Sequence, residues 1–119
     1  MDLKAPLAKY REVVGVPVSR DEVRRSIDAI LEAGVDHEFR TTCVKPLLAT
    51  RDLLEMGREI VGAKRYRLQA FVNHGVLNAG FGDTAVSFCE KELQTAARRI
   101  TQATNIDCRV RIPGEIRGR

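Results

Sequence analysis

Tryptophan is absent from this 119-residue chain and tyrosine appears twice, and its arginine-rich end has no interleaved aromatics on which nucleic-acid bases could stack. Cysteine is scarce and odd in number. Cys43, Cys89 and Cys108 lie too far apart for a disulfide framework or a local metal knuckle, and read as small buried hydrophobes. No apolar run approaches the roughly 20 residues that a membrane-spanning helix needs, which argues against a membrane. The start, Met1-Asp2-Leu3-Lys4, lacks the charged-then-apolar layout of a signal peptide, and the expected compartment is the cytoplasm. No internal repeat or low-complexity segment interrupts the chain. What remains, 44% hydrophobic and 30% charged, suits one ordinary domain with a single modest core. The net charge of +4 falls entirely on the last stretch, where Arg98, Arg99, Arg109, Arg111, Arg117 and Arg119 stand against Asp107 and Glu115. Without interleaved aromatics this arginine-rich end reads as a solvated edge rather than a nucleic-acid surface.

Three segments carry helical periodicity. The first opens at Ser19 with a capping box to Glu22, buries Val23, Ile27, Ile30 and Leu31, and stops at Gly34. The second runs from about Thr50, as N-cap, through Leu53, Met56, Gly57 and Ile60 to Gly62, with Leu54 and Val61 widening its apolar stripe. The third starts near Ser87, paired with Glu90, buries Leu93, Ala96, Ala97 and Ile100, and ends at Asn105. Between them, Val35 to Val44, Arg65 to Phe71 and Ile106 to Ile112 have the period-two character of strands, and Met1 to Leu3 is a strand stub. That alternation predicts an α/β fold of parallel units wound in one hand.

The strand faces are unequal. Period two puts Val35, His37, Phe39, Thr41 and Cys43 on one side and Asp36, Glu38, Arg40 and Thr42 on the other. Arg67 and Gln69 likewise oppose Tyr66, Leu68 and Ala70. Parallel sheets normally have both faces covered and apolar. A charged face on two neighbouring parallel strands therefore predicts a polar barrel lumen or an open surface.

The run Met1-Asp2-Leu3-Lys4-Ala5-Pro6-Leu7, with Tyr10, Val14-Gly15-Val16, Glu38-Phe39-Arg40-Thr41-Thr42 and Leu68-Gln69-Ala70-Phe71, resembles the second half of radical S-adenosylmethionine activating proteins. The likeness is closest to anaerobic ribonucleoside-triphosphate reductase activating enzymes, more distant to pyruvate formate-lyase activating enzymes, and extends to about Ile112. It implies the C-terminal half of a partial (β/α)6 TIM-like barrel over residues 1–112, entered at the end of the fourth strand, with 113–119 as a basic tail. It also implies that Asp2 and Lys4, matching an Asp-x-Lys motif, help position S-adenosylmethionine. Arg40 would lie beside that cofactor with its fork suited to a carboxylate, against the plainer alternative of an internal pair with Glu38, Asp36 or Glu59. Gln69 and Phe71 would contact the adenine. His74 would replace a histidine that relatives carry just past the sixth strand, displaced by two residues, whereas His37 reads as structural.

One departure is large. The Cys-x-x-x-Cys-x-x-Cys that holds the 4Fe-4S cluster in this family is missing, as is the Gly-rich segment that grips the methionine amine, so the chain is expected to ligate no cluster and to be inactive alone. In the complete family protein, S-adenosylmethionine yields a radical that abstracts hydrogen from a glycine of the partner. The implied partners are the missing N-terminal half, a glycyl-radical enzyme, and an electron donor such as flavodoxin or ferredoxin. The alternative is a non-catalytic half-barrel subunit that pairs with a complementing protein through its open edge.

Overall fold

The computed structural model describes residues 1–14, 19–45, 48–71 and 86–112. After a 3-10 turn at Leu7–Lys9, the elements are α1 (Tyr10–Val14), α2 (Arg20–Ala33), β1 (Phe39–Lys45), α3 (Thr50–Glu59), β2 (Arg65–Ala70), β3 (Val86–Ser87), α4 (Glu90–Thr104) and β4 (Asp107–Arg111). The expected α/β class holds. β1, β2 and β4 run parallel in an open four-stranded sheet of spatial order β3-β1-β2-β4, with β3 antiparallel on the outer edge of β1. The stub is present as a single parallel bridge between Asp2 and Arg40, closed by Leu3 N–H to Arg40 O at 2.7 Å and Arg40 N–H to Met1 O at 2.9 Å.

Local chemistry explains each boundary. The Ser19 hydroxyl accepts the N–H groups of Asp21 and Glu22, and Gly34 closes α2 at φ +69°, a conformation open to a residue without a Cβ. Asn105 ends α4 in the same left-handed region, as expected. α3 begins at Thr50 as expected, but its cap, and both the cap and the start of α4, lie elsewhere than the hydroxyl residues suggest. Ala49, not Thr50, caps α3, because the Asp52 carboxylate at the third helical position accepts the Ala49 N–H at 2.8 Å. Cys89 caps α4, because Glu92 does the same for its N–H at 3.0 Å, and Ser87 is drawn into β3 against Val44. α3 ends at Glu59, short of Gly62, and Val61 is 56% exposed rather than part of the stripe. β1 starts at Phe39 rather than Val35, since the His37 ring turns back to bond the Val35 carbonyl at 3.0 Å.

All helices bury their apolar faces into one core. Val23 and Ile27 of α2, Leu53 and Met56 of α3, and Leu93, Ala96, Ala97 and Ile100 of α4 join Phe39, Cys43, Tyr66, Leu68 and Cys108 from a single side of the sheet. Each fully buried large side chain contributes roughly 1.5–3 kcal/mol by leaving water. α3 and α4 pack closely at Gly57, where an added Cβ would lie 2.8 Å from Ile100 Cγ2. Among the described residues, no helix is long and apolar enough to cross a membrane.

Candidate functional site

The opposite side of the sheet is uncovered by any described element, and it carries the polar residues. Strand pairing aligns them in rows. Asp2, Arg40, Arg67 and Arg109 lie side by side across the bridge, β1, β2 and β4, and Thr42, Gln69 and Arg111 form the next row toward the carboxyl ends. The side chains of residues 39, 41 and 43 are buried while Arg40 and Thr42 are exposed, so the period-two assignment of faces is correct for β1. On β2 Tyr66 and Leu68 are likewise buried, opposite the half-buried Arg67 and Gln69.

Ion pairs tie this face together. Arg111 grips Glu38 with both terminal nitrogens, 3.2 Å to each carboxylate oxygen, reaching across β2. Arg67, its side chain only 12% exposed, lies 4.0 Å from Glu38 and 3.7 Å from Asp107, and donates to the Asp107 carbonyl at 2.8 Å. Asp107 also takes Arg109 Nε at 2.9 Å, and Arg65 pairs with Asp36 at 2.6 Å, which holds the Asp36 carboxyl below its usual range through hydrogen bond and charge. This network was not foreseen: counting Arg109 and Arg111 into a solvated edge overlooked that Asp107-x-Arg109-x-Arg111 itself alternates with period two.

The expected site residues fall as follows. Asp2 is in register with Arg40, but its carboxylate pairs with Lys4 Nζ at 3.1 Å in an exposed contact. Gln69 lies one row beyond Arg40 on the adjacent strand, and Phe71 follows β2, half-buried. Arg40 is the second residue of β1, nearer the amino end than Gln69 is on β2. None of its three candidate internal partners takes it. Glu38 goes to Arg111, Asp36 to Arg65, and Glu59 accepts the Leu7 N–H at 3.1 Å on the helical side. Burial, partly offset by that hydrogen bond, raises the Glu59 pKa. His37 is structural: its Nε2 accepts the Lys64 N–H at 3.1 Å, which leaves Nδ1 to donate to Val35 O. Its ring meets Phe39 edge-on at 5.6 Å. His74 and the tail 113–119 lie outside the described residues.

The described cysteines do not suit a cluster. Cys43 and Cys108 are buried on the helix-covered side, where loss of solvent pushes both thiols up to about 12, and Cys89 is exposed at the start of α4. Cys89 therefore departs from its reading as a buried hydrophobe. Among the described residues no group of three or more metal-binding side chains converges. What the bare face can do is hold an anionic ligand, because Arg40 presents a guanidinium fork with no carboxylate among the described residues. Comparison with family models, curated proteins and solved structures finds no match to this chain.

Proposed function

We propose that the chain is the C-terminal half of a radical S-adenosylmethionine enzyme that activates a glycyl-radical enzyme of the anaerobic ribonucleotide reductase type. The observation that carries the reading is the bare, polar face of a parallel sheet with the open fork of Arg40 on it. Parallel strands that follow one another in space in chain order, with the described helices feeding the core on one side, support the reading, because a barrel wall would need that arrangement. In such a wall the uncovered face is the lumen. Arg40 would take the carboxylate of S-adenosylmethionine, Asp2 and Lys4 would order its polar groups, and Gln69 with Phe71 would receive the adenine. When bound beside a 4Fe-4S cluster held by the other half, S-adenosylmethionine supplies the hydrogen-abstracting chemistry. This chain's residues only orient it.

The test is to co-express the chain with an N-terminal half bearing Cys-x-x-x-Cys-x-x-Cys, then measure S-adenosylmethionine affinity and its reductive cleavage. Arg40→Ala is expected to weaken binding about tenfold or more, the value of one charge-assisted contact, while His37→Ala acts through stability alone. Unchanged affinity in a folded Arg40→Ala complex would remove the reading. The non-catalytic alternative is favoured by one feature, the far edge of β4, which has no strand partner among the described residues. A complex that forms through that edge but never binds S-adenosylmethionine would select it.

A further inference from the structure

Among the cations of the bare face Arg40 differs from its neighbours. Lys4 is paired with Asp2, Arg65 with Asp36, Arg109 with Asp107, Arg111 with Glu38, and Arg67 lies within 4.0 Å of both Asp107 and Glu38. Arg40 has no such partner among the described residues, although Glu38 precedes it by two positions on the same face. Two residues of extended chain span only about 6.5 Å, well within reach of an arginine side chain. Glu38 is therefore the natural internal partner of Arg40. It is held away by Arg111, which occupies both carboxylate oxygens from two strands distant. A two-pronged fork is the strongest way to bind a carboxylate, and with Arg111 30% and Glu38 28% exposed the pair is partly shielded from screening. Arg67 adds only a looser contact, its Nε 4.0 Å from Glu38, while its Nη1 bonds the Asp107 and Tyr66 carbonyls.

The geometry points to Arg111 as a positioning residue for a carboxylate-binding site centred on Arg40: by sequestering Glu38, it keeps the Arg40 fork open for the ligand. The choice of ligand rests on the S-adenosylmethionine reading, but the arrangement of side chains does not. Arg111 touches no ligand in this scheme.

The test uses the full chain and the side-chain NMR signals of Arg40, assigned by their loss in Arg40→Lys. In the wild type the Arg40 guanidinium is expected to rotate freely. In Arg111→Gln, Glu38 turns to Arg40 and rotation slows, and in Glu38→Gln/Arg111→Gln free rotation returns. An Arg40 signal identical in wild type and Arg111→Gln would overturn the proposal, as would slow rotation that persists in the double variant. Titration with S-adenosylmethionine, carried out on each variant co-expressed with the cluster-bearing N-terminal half, then separates the two ideas. If the wild-type Arg40 signal shifts on titration, Arg111→Gln should weaken binding about tenfold, the double variant should recover it, and 5′-methylthioadenosine, which lacks the carboxylate, should bind all three alike. If the rotation changes occur as expected but S-adenosylmethionine moves Arg40 in no variant, the positioning by Arg111 stands and the cofactor reading fails.

Discussion

The two faces of the same three strands do different work. On the covered face even the polar groups are buried and partnered: Thr41 Oγ1 and Tyr66 Oη lie 2.6 Å apart, and Cys43 Sγ approaches the Thr41 carbonyl at 3.6 Å. On the bare face the partners are ion pairs that remain partly in water. Burial of apolar surface and loss of solvent make the first face the source of stability, while exposed pairs are worth little on their own. Stability is thus carried by one set of alternate residues of each strand, and the proposed recognition by the other. A substitution one position along β1 or β2 should change the kind of defect, not only its size.

The largest contrast is expected between Tyr66→Ala and Arg40→Ala. Tyr66 is fully buried, and its removal leaves a cavity and strands the Thr41 hydroxyl, a cost of about 3–5 kcal/mol. Arg40→Ala, on an exposed side chain without an ion pair among the described residues, should stay within about 0.5 kcal/mol. Urea unfolding of both variants measures this, and comparable losses would break the division between faces.

Alkaline titration should find the covered face next. The thiols of Cys43 and Cys108 hold their protons to about 12 in the folded chain because burial disfavours the thiolate, against an ordinary value of 9.0. Between those values the unfolded state has fewer protons than the native one, so stability must fall as pH rises. The slope is about 1.4 kcal/mol per pH unit for each thiol, and Tyr66, also raised by burial, adds the same sign above its ordinary 10.0. Unfolding midpoints measured from pH 9 to 11 should therefore decline less steeply in Cys43→Ala/Cys108→Ala than in the wild type. Equal slopes would mean that these sulfurs are wetter than the packing indicates.

A smaller effect belongs to the helical layer that covers the first face. Gly57→Ala gains up to about 1 kcal/mol of helix propensity but drives a methyl to 2.8 Å from Ile100 Cγ2, an overpacking that costs about 1–3 kcal/mol. The net expectation is a loss of up to about 2 kcal/mol, with Ile100→Ala in the same chain making the two changes markedly non-additive. A stabilised Gly57→Ala would show that α3 and α4 can separate without cost.

Much of this division was legible in the sequence, because period two survives unbroken from Glu38 to Cys43 and from Tyr66 to Ala70. The ends of α2 were legible as well, since Ser19 and Gly34 are caps whose chemistry is local. The start of α3 near Thr50 was legible, but its cap and the start of α4 were misplaced because carboxylates three positions into each helix, Asp52 and Glu92, do the capping that a hydroxyl was expected to do. The two-residue β3 and the five-residue α1 are too short to leave a periodic signal. The polar residues of the uncovered face were legible one by one, Arg40 and Gln69 among them, but not as a network. Glu38 and Arg111 are 73 positions apart, and only the strand order and register bring them together.

The smallest expected effect tests whether the bare face is uniform. Arg109 and Arg111 alternate on one strand, and both hold a carboxylate at close range, so contact distance alone would rank Arg109, at 2.9 Å, above Arg111, at 3.2 Å. Geometry and solvent reverse that order. Arg109 is 71% exposed and bonds through one nitrogen to Asp107, two residues away on its own strand, so the pair restrains nothing that the strand does not already fix. Arg111 uses both prongs of its fork, is half-buried, and links β4 to the start of β1. Arg109→Gln should therefore change stability by no more than about 0.3 kcal/mol and Arg111→Gln by up to about 1 kcal/mol. In 1 M salt, where charges are screened over about 3 Å, the smaller effect should vanish and the larger one persist in part through its hydrogen bonds. Equal costs for the two variants would mean that Arg111 and Glu38 do not hold their fork in solution, and that Glu38 is free to compete for Arg40 with the proposed ligand.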